Sequence, residues 1–114
     1  MSKRNPQLLL EDMLLSMEKI TSYIGTMDKD SFVKDARTVD AVVRNLEIIG
    51  EAASRIPEDF RTIHPQIPWR RVVGLRNRVI HEYFGVDLEI VWSVVTDDLP
   101  PMKSAVKQIV DGFS

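Results

Sequence analysis

Apolar residues recur along this chain at three- and four-residue steps, and no stretch alternates them in twos. Leu10, Met13, Leu14, Met17, Ile20 and Ile24 make one stripe, and Val39, Val42, Val43, Leu46, Ile49, Ala53 and Ile56 make a second. Leu88, Val91, Trp92, Val95 and Leu99 start a third, continued by Met102, Val106, Ile109 and Phe113. An α-helix turns by about 100° per residue, so each set gathers on one side of a helix, whereas a half-buried strand needs a period of two. The pattern predicts an all-α fold of four main helices with a short extra one, packed as a bundle. A chain of 114 residues is one domain, 1–114, and buries about two-thirds of the surface that its unfolded form exposes.

Local signals set the boundaries. Asn5-Pro6 offers a side-chain acceptor followed by a first-turn proline, and the first helix runs to about Gly25. Residues 26–35 are a connection with room for one helical turn, for which Ser31 is the expected cap. A second helix spans about Asp35 to Arg55 and closes at Ile56-Pro57; Pro57-Glu58-Asp59-Phe60 opens a short one that ends at His64-Pro65. Pro68 starts the fourth, whose apolar side is Trp69, Val72, Val73, Leu75, Val79 and Ile80 and whose expected stop is Gly85. Asp87 can cap the last helix, which Pro100-Pro101 either kinks or divides, with Asp98 starting the second part.

Composition excludes several classes. There is no cysteine, so disulfides and thiolate metal sites are ruled out and a reducing cytoplasm is the fitting compartment. The short apolar run Leu8 to Leu10 is broken by Glu11 and Asp12, which is neither a signal peptide nor a membrane span. A net charge of −2 looks unsuited to nucleic acid, yet the charge is uneven: residues 55–81 hold six arginines against Glu58 and Asp59. Such a local patch can bind phosphate while the remaining surface repels it.

The arginine-rich part contains Gly74-Leu-Arg-Asn-Arg-Val-Ile-His-Glu-Tyr-Phe-Gly85. Arg76, Asn77, Arg78, His81 and Tyr83 stand between its glycines. On a continuous helix, Arg76 and His81 would be roughly 140° apart, with Asn77 and His81 on one line and Arg76 and Tyr83 on another. Histidine exchanges protons near neutral pH, and the forked guanidinium suits phosphate oxygens. Together they provide what cleavage of an RNA phosphodiester requires: a base for the 2′-hydroxyl, an acid for the departing 5′-oxygen, and positive charge for the phosphorane. No metal and no cofactor is called for, since His64 and His81 lack carboxylates at ligand spacing. His64 precedes a proline and reads as a helix-end residue. Glu47 and Glu51, four apart, read as partners for Arg44 and Arg55. One reactive histidine per chain suits a homodimer or dimer-based oligomer in which two copies of the motif share a cleft.

Arg76, four residues, His81, one residue, Tyr83 resembles the R-x4-H-x-Y signature of HepT-like toxins, a branch of the HEPN superfamily of helical ribonucleases. The likeness extends to Asn45 through Ala53, His64 through Arg70, and Val91-Trp92 through Leu99-Pro100. The resemblance implies a HEPN-type bundle and a metal-independent endoribonuclease toxin with Arg76 and His81 catalytic at a dimer cleft. Asn77 and Arg78 would be polar support. It also implies an MntA-type nucleotidyltransferase antitoxin that silences the toxin by attaching AMP to Tyr83. The alternative is a non-catalytic helical module that binds such a nucleotidyltransferase or a nucleotide.

Overall fold

A computed structural model describes residues 5–81 and 85–113, with the backbone alone at His81. The fold is all-α. Helix α1 (Pro6–Ile24) starts where the Asn5 side chain accepts the Leu8 N–H at 2.9 Å, and stops at Gly25, whose φ of +53° disfavours a side chain. Helix α3 (Ala36–Ser54) starts from an equivalent bond, Thr38 N–H to Asp35 at 3.1 Å. Between them lies α2 (Lys29–Lys34), where the expected cap is corrected: Asp28 accepts the Ser31 N–H at 2.8 Å, so Ser31 is the capped residue. An aspartate one turn earlier accepts that amide better than a hydroxyl placed inside the turn. The bonds from Ser31 hold the Asp28 carboxyl below its ordinary value.

Helices α1 and α3 pack along each other, and α8 (Leu99–Gly112) closes over α1. Leu10, Met13, Met17 and Ile20 of α1, with Val42, Leu46 and Ile49 of α3 and Val106 of α8, are completely buried. Met13 and Met17 are thus packing residues, and Phe32 reaches the same core from α2, its ring 5.3 Å from that of Trp92. Trp69 is buried too, donating its indole N–H to the His64 carbonyl at 3.0 Å. Helix α4 (Glu58–Ile63) closes the end of α3 through Arg61, which donates to the carbonyls of Ala53, Ser54 and Ile56 at 2.9, 3.1 and 3.0 Å.

The fourth helix is not the continuous one that its pattern predicts. It is two single-turn pieces, α5 (Trp69–Val73) and α6 (Leu75–Val79), joined at Gly74. After Val79 the backbone extends, with Ile80 at φ −113°, ψ 120°. Strand β1 (Ile80–His81) then pairs antiparallel with β2 (Gly85–Val86), Ile80 opposite Val86 and His81 opposite Gly85. Two effects favour this break. Val79 and Ile80 are adjacent β-branched residues that pack as well in an extended segment as in a helix. The Val79 carbonyl, which a longer helix would use internally, instead accepts the Asp87 N–H at 2.9 Å. This two-residue ladder leaves the all-α class unchanged.

Pro100-Pro101 is accommodated without a visible gap between helices. Helix α7 (Leu88–Ser93), capped by Asp87, continues through a π-turn at Val94–Asp98 into α8. Leu99 donates to the Val94 carbonyl five residues back. Neither proline has an N–H to offer, so the widened turn absorbs the interruption within one helical path. Among the described residues no helix is long and apolar enough to cross a membrane.

Candidate active site

Helix α6 is held by its ends. Leu75 and Val79, one turn apart, are buried, which leaves Arg76 and Asn77 exposed on the outer side. The segment sits close to α3 because position 50 is glycine: a Cβ there would lie 3.3 Å from the Val72 carbonyl oxygen and 3.4 Å from that of Val73. Thus the backbone of α5, and α6 behind it, lies directly on α3.

Arg76 and Arg78 are two positions apart on one helical turn and so diverge. Arg76 points to α3, its Nε 3.7 Å from Glu47 Oε2. Arg78 points to the π-turn, where its Nη1 lies 3.1 Å from Asp98 Oδ2; Arg71 reaches the same oxygen from α5 at 3.3 Å. One carboxylate therefore fastens both short helices to the turn preceding α8. Of the acids expected to serve neighbouring arginines, Glu51 does so, 3.0 Å from Arg55. Glu47 instead takes Arg76, a residue from another helix.

Arg76 lies in a groove of about 420 Å³ between α1, α3 and α6, shared with Asp12, Arg44, Glu47, Glu51 and Arg55. Three guanidinium groups, which can meet phosphate oxygens, share the groove with three carboxylates, of which Glu47 lies beside Arg76 and Glu51 pairs with Arg55. His81 ends β1, opposite Gly85. The helical alignment of Asn77 with His81 does not hold, because the helix ends at Val79. Tyr83 lies outside the described residues. His64, the other histidine, sets its ring against Phe60 in a tilted contact, centroids 4.5 Å apart, and donates its backbone N–H to the Arg61 carbonyl, a helix-end role as expected. Among the described residues no three His, Asp or Glu side chains gather as ligands. The Glu47 and Asp98 pairings are the features that sequence patterns leave out, since each joins residues 20 or more apart.

No solved structure gives a significant match. Comparisons at the level of sequence do. A protein of Thermococcus cleftensis named "Probable ribonuclease HepT" is 40% identical over 107 residues, covering 94% of this chain and 97% of that protein. "Putative RNase MJ0127" of Methanocaldococcus jannaschii is 39% identical over 110 residues, covering 96% of this chain and 91% of that protein. The sequence model of a family described as HepT-like, ribonuclease HepT-like, matches residues 13–109. With its helical fold and arginine-lined groove, the chain belongs to the HepT-like ribonuclease family.

Proposed function

We propose that the protein is a metal-independent endoribonuclease toxin of a HepT/MntA-type toxin–antitoxin pair, working as a homodimer in the cytoplasm. The observation that supports this most directly is Arg76: it is exposed, held by an acid from a neighbouring helix, and set in a groove with two further arginines. A guanidinium placed this way can stabilise the charge that develops as a phosphodiester reacts. His81, five residues on, supplies the proton chemistry. One imidazole takes the 2′-hydroxyl proton as the 2′-oxygen bonds to phosphorus. As the bond to the 5′-oxygen breaks, the partner subunit's imidazole gives that oxygen a proton, so a shared cleft accounts for both roles. The products are a 2′,3′-cyclic phosphate and a free 5′-hydroxyl. Asn77 lines the outer side of α6, and Arg78 supports it by fixing the helix through Asp98.

In the same reading Tyr83 is the residue to which an MntA-type nucleotidyltransferase antitoxin attaches AMP. An added phosphate and nucleoside two residues from His81 would compete with RNA for the arginines and fill the cleft.

The test is cleavage of a mixed RNA pool in EDTA by wild type and by His81→Ala at equal folded concentration, with an intact-mass spectrum of each sample. Cutting by unmodified wild type alone is the expected result. Equal cutting by both proteins removes His81 from the reaction, and no cutting by wild type of unmodified mass refutes the ribonuclease.

A further inference from the structure

The structure assigns a role to Glu47: we infer that it is a positioning residue, holding the Arg76 guanidinium in the orientation in which it meets a phosphodiester. This rests on reading Arg76 as the charge that faces the scissile phosphate. Arg76 stands on a helix of five residues and its side chain is 62% exposed, so its own helix constrains its long stem very little. Glu47 is better anchored. It belongs to a helix of 19 residues, between the fully buried Leu46 and Ile49, one turn before the glycine at which α5 makes its closest backbone approach.

The geometry of the pair suits guidance rather than sequestration. The closest approach is at Nε, and 3.7 Å exceeds a direct hydrogen bond. An acid on the Nε side leaves the outer Nη1–Nη2 edge for the two oxygens of a phosphate, the forked contact in which arginine is most specific. Glu51 cannot substitute, since it is engaged with Arg55 at 3.0 Å.

Removing the negative charge at position 47 therefore has opposite effects on two steps. Arg76 loses its restraint, which slows the chemical step. The groove loses a charge that repels RNA, which leaves binding unchanged or makes it tighter. A general loss of structure would weaken both together.

The experiment measures single-turnover cleavage at saturating RNA for wild type, Glu47→Gln and Glu47→Asp, each of unmodified mass. RNA affinity is measured separately in a His81→Ala background, with and without Glu47→Gln, where no cleavage interferes. Glu47→Gln is expected to slow cleavage about tenfold, less than the roughly hundredfold that a full ångström of misplacement can cost. Its affinity stays equal or rises, and Glu47→Asp recovers part of the rate. Glu47→Gln cutting within about twofold of wild type overturns the inference and leaves the ribonuclease reading intact. Parallel loss of rate and affinity overturns it as well. Wild type that does not cut overturns the ribonuclease reading, and this inference with it.

Discussion

Gly50→Ala measures how tightly the segment carrying Arg76 is pressed onto α3. Two opposing quantities decide the outcome. Replacing an interior helical glycine by alanine gains about 1 kcal/mol, because the unfolded chain loses freedom. Against this, the new methyl would stand 3.3 and 3.4 Å from two backbone carbonyl oxygens, those of Val72 and Val73. Those oxygens belong to a backbone that cannot rotate away, so α5 must shift by a few tenths of an ångström. Overpacking of this kind costs about 1–3 kcal/mol. The expected net effect is a loss of up to about 2 kcal/mol, or roughly 4 °C in Tm per kcal/mol for a domain of this length. Gly112→Ala is the internal control: it lies in α8, and a Cβ there meets nothing within 4 Å. Because it is the last residue of α8, this second variant should show a gain below the interior value, raising Tm by less than about 4 °C, and no packing cost. Thermal melts of the two single variants thus isolate the packing cost. Equal upward shifts would mean that α5 does not press on α3, and the account of how Arg76 is positioned would fail with it.

Two further outcomes follow from the charges. Asp98→Asn removes the carboxylate shared by Arg71 and Arg78. Because Arg71 is largely exposed and its share is discounted for solvent, the expected loss in urea denaturation is about 1 kcal/mol, shrinking in about 1 M salt; no difference at low salt would refute the clamp. Asp28, with its carboxyl held below 3.8 by Ser31, contributes stability that is present above the unfolded value. That contribution is lost as pH falls through the lower folded value, in the region below about pH 4. An NMR titration of the Asp28 carboxyl checks this, and a midpoint at or above 3.8 would contradict the cap.

The long helices were legible because their determinants are local. The apolar period marks α1, α3 and the α7–α8 path, and Asn5, Asp35 and Asp87 cap within three residues of themselves. The motif helix was misread for the same reason. Trp69 through Ile80 has a helical period, but the contact that ends α6 is the bond from Asp87 to the Val79 carbonyl, eight positions ahead. Local pattern also could not separate a kink from a break at Pro100-Pro101, since a π-turn depends on where the displaced carbonyls find donors. The chemistry was readable as residue types at a spacing. Its scaffolding was not: nothing near Glu47 in sequence indicates Arg76, and nothing near Asp98 indicates Arg71 and Arg78. These pairings exist only after α3, α6 and the π-turn have come together.

Asp87 links two events that the sequence keeps separate. Its backbone N–H secures Val79 at the end of α6, while its side chain accepts the Ile90 N–H at 3.1 Å and starts α7. The end of the motif helix and the first turn of the next are therefore joined through a single residue. In hydrogen exchange the Asp87 and Ile90 amides should behave as one cooperative unit, with matching opening free energies. A ligand that stabilises the motif segment would then be detected as slowed exchange in α7, a reporter several residues removed from the groove itself.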